Sequence, residues 1–166
     1  NDPASELAAE SAYAALFAHR EHLKELPKSR QRGAREHIAD QSLTFAENYP
    51  DHAETGAVLT AAAYDFLVLK NFSAATRTAK QVISDYPDSG PSLIESSWIV
   101  LADAEFEAGQ YADAEQSYSR ILETYSFDKE KKAALTENLA ASIYRQAQYA
   151  NKRNDHAVAA QHFLRL

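Results

Sequence analysis

Apolar residues along the chain recur with the period of about 3.6 residues that is typical of an amphipathic α-helix. Between positions 59 and 67 they fall on one helical face, and between 75 and 86 they fall on another. Asn71 lies between the two stretches, where a residue that tolerates the left-handed conformation ends a helix, and Gly109 has the same place further on. The pattern predicts a helix, a tight turn and a second helix.

This helical pair recurs along the chain. An aromatic residue followed three positions later by alanine occurs in one copy as Phe72 and Ala75, and in the next as Tyr111 and Ala114, at a spacing of 39 residues. Equal spacing at separate positions is typical of an internal repeat. The repeats predict four helix pairs, at about residues 3–48, 51–86, 91–125 and 128–166.

Composition supports a helical protein. The chain of 166 residues is long enough for one domain with a buried core, and it holds only 4 glycines and 5 prolines. Few chain-breaking residues and many alanines favour helices throughout. We therefore expect a single all-α domain over residues 1–166.

Charge and residue usage exclude several classes of protein. Asp and Glu number 24 and Lys and Arg number 17, for a net charge of −7, whereas a nucleic-acid-binding protein needs a basic surface. The chain has no cysteine, which excludes disulfides, thiolate metal sites and cysteine nucleophiles. No apolar run approaches the length of about 20 residues that crosses a bilayer.

The two ends of the sequence suggest a piece of a longer protein. The chain begins at Asn1 without an initiator methionine, and it ends on an apolar helical stretch at Phe163–Leu166. A terminal repeat unit needs a polar outer face, so we expect further repeats downstream. A signal peptide or lipid anchor would lie upstream. In this piece, the uncovered C-terminal helix predicts either self-association or a frayed last helix.

The repeats resemble the tetratricopeptide repeat family, whose pattern is W-x2-L-G-x2-Y, then A-x3-F, then P. In one copy Trp98, Leu101 and Ala102 are followed by Ala114 and Tyr118 at the family's spacing. The resemblance implies a right-handed α-solenoid of about four helix pairs. The matching residues of the preceding copy are Leu59, Ala62, Ala63, Phe66, Ala75 and Pro87.

The repeats also depart from the family. They are 37, 39 and 45 residues long, against about 34 in the family, and Tyr-Pro-Asp elements stand at 49–51 and 86–88. Long repeats with this punctuation look like those of bacterial envelope proteins, in particular the tetratricopeptide proteins of the Tol-Pal and outer-membrane assembly systems. The resemblance implies a periplasmic or outer-membrane-associated location and leaves the cytoplasm open.

In this family the first helices of the pairs line a concave groove that holds an extended peptide or a partner helix. The carboxylate-clamp pattern of chaperone-tail binders requires Lys or Asn where Thr60 and Tyr64 stand, which disfavours that subfamily. The mixture of aromatic, amide and charged groups suits peptide recognition. Carried over by position, the implied protein-binding residues are Thr60, Tyr64, Leu67, Ile99, Asp103, Phe106, Tyr144, Gln148, Asn151 and Lys152.

A basic stretch stands out in this acidic chain. Six cations lie around the first interhelical turn, interrupted by Glu21 and Glu25. A solvated helix end with intrahelical ion pairs is one interpretation, and a docking patch for an acidic partner or an anionic lipid surface is the other. The six residues are Arg20, Lys24, Lys28, Arg30, Arg32 and Arg35.

Patterns typical of catalysis or metal binding are missing from the sequence. His19 and His22 fit neither zincin motif, and a metal site needs three or four converging ligands. Asp103, Glu105 and Glu107 alternate along one helix, which directs them to different faces. No G-x-S-x-G motif and no glycine-rich phosphate loop occur. We expect no catalytic residue, no cofactor and no metal.

These observations favour a non-enzymatic scaffold that binds a protein or peptide partner and no nucleic acid. The alternative is an accessory domain of a larger enzyme, or of a secretion or assembly apparatus, whose chemistry lies outside these residues. A catalytic domain downstream in the full-length protein would support the alternative.

Overall fold

The structure is a computed structural model that describes residues 3–166, with side chains described from Glu6 onward. Over this range the chain forms eight α-helices and no strand, which confirms the all-α prediction. None of these helices has the length and apolar character that crossing a membrane requires. The helices are α1 (Pro3–Glu25), α2 (Lys28–Asn48), α3 (Thr55–Val68), α4 (Phe72–Asp85), α5 (Pro91–Glu107), α6 (Tyr111–Thr124), α7 (Lys129–Lys152) and α8 (His156–Phe163).

The chain divides into two compact units within α5, the first ending at Ser97 and the second beginning at Trp98. In the first unit α1, α2, α3 and α4 pack against one another in chain order. In the second unit α7 packs against both α6 and α8. Packing between sequence neighbours is typical of helical hairpins.

Three tight turns between helices share one backbone geometry. A residue with positive φ follows α3, α5 and α7, namely Lys70 at 63°, Gly109 at 79° and Asn154 at 62°. In each turn the next residue donates its backbone N–H to the carbonyl five positions earlier, at 2.8–3.0 Å. This is the Schellman motif, which satisfies the last carbonyls of a helix. The left-handed conformation predicted for Gly109 is confirmed.

The left-handed residue predicted at Asn71 is wrong by one position. Lys70 has the positive φ, whereas Asn71 has a φ of −88° and forms the N-cap of α4. The Asn71 Oδ1 accepts a hydrogen bond from the N–H of Ala74 at 3.2 Å, and Asp155 does the same for Val158 at the start of α8. The short polar side chain therefore starts the second helix instead of ending the first.

Alanines in each helix pair are buried at the packing surfaces. Ala63 of α3, Ala75 of α4, Ala102 of α5 and Ala114 of α6 are 0% exposed, and Ala159 of α8 is 3% exposed. A side chain this small lets the axes of two helices approach to about 8–10 Å. Small buried residues at these positions therefore hold the paired helices close together.

Larger apolar side chains fill the space around the alanines. In the first unit Leu59 of α3 packs with Val82 of α4, and both are fully buried. In the second unit Tyr118 and Ile121 of α6 pack with Leu135 of α7. Tyr118 is 1% exposed and belongs to this core. Each unit therefore has its own hydrophobic core.

A buried ion cluster joins three helices of the first unit. Asp65 of α3 is 1% exposed, and its carboxylate oxygens accept hydrogen bonds from Arg20 of α1 at 2.7 Å and from Arg35 of α2 at 2.5 Å. Arg20 also donates to the Ser42 hydroxyl at 3.3 Å. Because a buried carboxylate without a partner is strongly unfavourable, the packing of α1 and α2 on α3 depends on these two ion pairs.

We expect Asp65→Asn to lower the free energy of unfolding by about 3 kcal/mol, because two arginines then meet without a counter-charge. Unfolding in urea, followed by circular dichroism, measures the loss. Glu47→Gln is the matched control, since Glu47 is exposed on α2, and it should change stability by less than about 0.5 kcal/mol. A loss under about 1 kcal/mol for Asp65→Asn would contradict the role of the cluster.

The shared turn geometry gives a second prediction. Lys70→Gly should raise the free energy of unfolding by about 0.5–1 kcal/mol, because glycine adopts the left-handed conformation without a Cβ clash. Gly109→Ala, at the same place in the next turn, should lower it by about 1 kcal/mol. Urea unfolding of both variants tests the pair. If both variants change the free energy of unfolding in the same direction, the two turns do not share the left-handed geometry.

Candidate functional site

The groove residues predicted in the first unit differ in accessibility. Thr60 is buried, and its hydroxyl donates to the carbonyl of Gly56 at 2.8 Å and lies 3.1 Å from the Ser97 Oγ. Thr60 therefore joins α3 to α5. Leu67 is partly buried, whereas Tyr64 is 55% exposed. Of the three, Tyr64 offers the largest accessible surface to a partner.

The groove residues predicted in the second unit also differ in accessibility. Ile99 and Phe106 of α5 are partly buried against the core. Tyr144 of α7 is 44% exposed, and its ring centroid lies 5.8 Å from that of Phe163. Tyr144 therefore combines an accessible ring with support from α8. The remaining predicted residues, Gln148, Asn151 and Lys152, are partly or fully exposed in the last turns of α7.

Asp103, the other predicted groove residue, is engaged inside the second unit. Its Oδ1 accepts a hydrogen bond from the Tyr118 hydroxyl at 2.6 Å, and Tyr118 also has a hydrogen bond with Asn138. Burial raises the pKa of Asp103 above its ordinary value of 3.8, against the lowering effect of the Tyr118 hydrogen bond, and nearby Glu107 raises it further. Burial and the charge of Asp103 also raise the pKa of Tyr118. Asp103 thus joins α5 to α6.

The six cations of the predicted basic patch do not form one free surface. Arg20 and Arg35 are the partners of buried Asp65, with side chains 24% and 22% exposed, so both guanidinium groups are engaged inside the first unit. Lys24 pairs with Glu21 at 2.6 Å within α1, as expected for an intrahelical ion pair. The three cations that remain are Lys28, Arg30 and Arg32, which are exposed at the start of α2.

The histidines near the first turn do not form a metal centre with other ligands. His19 and His37 have ring centroids 6.2 Å apart, and His22 lies 3.9 Å from Glu25. Among the described side chains, no group of three or more His, Asp or Glu residues is placed to hold a metal ion.

A cleft of about 620 Å³ opens in the second unit, where the sequence predicts no site. Its lining comes from the turn before α6 and the first residues of that helix, from the C-terminal part of α7, and from α8. Clefts of about 300–1,000 Å³ are typical of ligand sites. The lining residues are Gly109, Gln110, Tyr111, Ala112, Asp113, Gln146, Tyr149, Ala150, Arg153, Asp155, Val158 and His162.

Polar contacts join the three helices around the cleft. Gln146 of α7 donates from Nε2 to the Glu115 Oε2 at 2.6 Å and to the backbone carbonyl of Tyr111 at 3.3 Å. Arg165, just after α8, forms an ion pair with Glu115. The positions of α6, α7 and α8 around the cleft are therefore fixed by side-chain contacts as well as by packing.

Tyr149 is the most accessible aromatic residue of the cleft. It is 62% exposed, and the guanidinium carbon of Arg153 lies 5.8 Å from its ring centroid. Asp113 and Asp155 add carboxylates from α6 and α8. An aromatic ring between groups of both charges suits the side chains and backbone of a peptide.

Sequence reasoning missed this cleft because its lining comes from three segments that are distant along the chain. The available signal was the pair Tyr149 and Arg153, which stand four residues apart on one helical face just before the last turn. A cation over an exposed aromatic ring next to a predicted turn indicates a surface that the core does not use.

Comparison of the chain with family models, with curated proteins and with solved structures returns no match. The resemblance to tetratricopeptide repeats therefore rests on the repeat pattern of the sequence.

The environment of Asp103 predicts that replacing this residue changes the stability of the protein by an amount that depends on pH. The raised pKa means that the protonated carboxyl stabilises the folded state below pH 3.8, and that this contribution is lost as the pH rises through the pKa of the folded state. Asp103→Asn keeps the acceptor for Tyr118 without the charge, so its stability relative to the parent should be higher at pH 7 than at pH 3.

Urea unfolding at both pH values measures this difference. Asp103→Ala is the control, because it removes the acceptor and should lose about 1–2 kcal/mol at pH 7. If the stability of Asp103→Asn relative to the parent is lower at pH 7 than at pH 3, the raised pKa of Asp103 is wrong.

Proposed function

We propose that this chain is a non-enzymatic interaction module of the tetratricopeptide type, a right-handed α-solenoid that binds an extended peptide of a partner protein. A Schellman turn recurs at Lys70, Gly109 and Asn154, at spacings close to those of the sequence repeat. This recurrence supports the proposal. Preformed helices of this kind reduce the ordering cost of binding.

The observation that carries the proposal is the accessibility of tyrosines on the first helices of the pairs. Tyr64 of α3 and Tyr144 of α7 are 55% and 44% exposed, whereas Tyr118 of the second helix α6 is 1% exposed. Rigid amphipathic rings on a supporting helix are typical hot spots of protein interfaces. We assign each exposed tyrosine to peptide binding in its own unit.

The second unit has two surfaces to distinguish. Tyr144 and Tyr149 both lie on α7, but five helical positions place them about 140° apart around the axis. Tyr144 belongs to the groove implied by the family resemblance, and Tyr149 belongs to the cleft. Substituting each residue separately therefore identifies which surface binds a peptide.

Phage display of random peptides of about 12 residues supplies the ligands. Titration of the selected peptides against the parent, Tyr64→Ala and Tyr144→Ala then measures affinity. We expect at least one of the two changes to weaken binding about tenfold or more, equivalent to about 1.4 kcal/mol. Both should leave the free energy of unfolding within about 1 kcal/mol of the parent, because the two rings are accessible.

The controls separate the competing surfaces. Arg30→Glu with Arg32→Glu should leave binding intact, and if this change alone abolishes binding, the start of α2 is the docking surface. If only Tyr149→Ala weakens binding, the cleft replaces the groove as the site. If the folded parent enriches no peptide over a urea-unfolded sample, the interaction function is wrong.

We also propose a location in the bacterial envelope. The long repeats and their Tyr-Pro-Asp elements support it. Release of the native protein by osmotic shock, or its recovery with outer membranes, is the expected result of cell fractionation.

A further inference from the structure

Two acidic side chains share one face of α5. Asp103 and Glu107 are four residues apart, the spacing that places side chains next to each other on a helix. The charge of Glu107 raises the pKa of Asp103, in agreement with this proximity. Glu105, which stands between them in the sequence, is 2% exposed and accepts a hydrogen bond from Ser117. Of the three acids that alternate along α5, only Glu105 therefore lies on a different face.

No cation of the described chain neutralises this acidic pair. Among the side chains that the structure describes, neither Asp103 nor Glu107 forms an ion pair, and the Oδ1 of Asp103 accepts a hydrogen bond from the Tyr118 hydroxyl at 2.6 Å. The cation of the predicted groove, Lys152, lies about 21 Å along α7 from Asn138, which hydrogen-bonds to Tyr118. Like charges at this spacing repel each other, so a cation from outside the chain would stabilise the pair.

An aromatic ring lies beside the two acids. Phe106 is three residues after Asp103 and next to Glu107, and it is partly buried. Its ring packs edge to face with that of Tyr111, with centroids 5.3 Å apart. A ring next to carboxylates suits a long basic side chain, whose aliphatic stem packs on the ring while its charged end meets the acids. A metal ion gains nothing from the ring, and no third described His, Asp or Glu joins the two acids to hold one.

We propose that the peptide groove of the second unit selects a lysine or arginine side chain, whose charge is bound by Asp103 and Glu107 and whose stem packs on Phe106. Because Asp103 and Phe106 are implied residues of that groove, this partner chemistry rests on the proposed function. The Tyr118 hydroxyl occupies one oxygen of Asp103 and orients the carboxylate, which leaves the second oxygen for the ligand. The net charge of −7 also attracts a basic peptide.

Phage display against the parent tests the class of ligand. Among selected peptides of about 12 residues whose binding Tyr144→Ala weakens, we expect Lys or Arg at one recurrent position. Glu107→Lys should select Asp or Glu at that position instead, because it reverses the charge of an exposed residue. Glu123→Lys, at an exposed acid of the second helix α6, is the matched control and should keep the basic preference.

Replacing the basic residue of a selected peptide by norleucine measures what its charge contributes. The replacement should weaken binding to the parent about tenfold, and binding to the double variant Asp103→Asn with Glu107→Gln less than about threefold, because both acids are then neutral. Circular dichroism and the urea midpoint should show a double variant that is folded and no less stable than the parent at pH 7. Asp103→Asn keeps the acceptor for Tyr118, and Glu107 is exposed.

Binding of the basic peptide should also lower the pKa of Asp103, because an adjacent cation favours the ionised carboxyl. The carbon-13 shift of the Asp103 carboxyl, followed by NMR in pH titrations with and without the peptide, measures the change. The norleucine peptide is the control and should leave the pKa of Asp103 closer to that of the free protein.

Three results would overturn the inference. One is a set of Tyr144-dependent peptides that carry an acidic residue or no recurrent charge. Another is a norleucine replacement that weakens binding to the parent and to the double variant equally, which places the partner of the cation elsewhere. The third is a selection in which peptides depend on Tyr64 and none depends on Tyr144, so that the proposed function holds and this groove does not. If the folded parent enriches no peptide at all, the proposed function fails together with the inference.

Discussion

The structure depends on how closely its antiparallel helices approach one another. Buried alanines such as Ala63, Ala75, Ala102 and Ala114 leave no room for a larger side chain at the contacts, because a longer residue would push the helix axes apart. The Schellman turns serve the same close approach, since they reverse the chain within three residues and bring the next helix directly back. Aromatic side chains such as Tyr118 then fill the space that remains between helices.

Polar side chains inside the two units connect specific helices. Asp65 holds two arginines in the first unit, and in the second unit Glu105 accepts a hydrogen bond from the Ser117 hydroxyl at 2.7 Å. A helix that slid or rotated would leave these buried groups without partners, which is more unfavourable than a lost apolar contact. Apolar packing therefore sets the distance between helices, and the polar contacts select one register.

The surfaces available for binding follow from this interior. Because the helices are held by packing on one side, side chains on the other side are presented on a rigid support, which reduces the entropy lost on binding. Tyr64, Tyr144 and Tyr149 are accessible rings of this kind.

Local spacing alone determined the helices and most of their ends. The repeats predict a helix pair that ends at about residue 48, and α2 ends at Asn48, because apolar period and turn residues act within a few positions of each other. The tertiary structure decided which charged side chains are interior. Arg20 and Arg35 look like members of an exposed basic stretch until a third helix places Asp65 between them. A long charged side chain can reach either solvent or a buried partner, and only the positions of the neighbouring helices determine which of the two it meets.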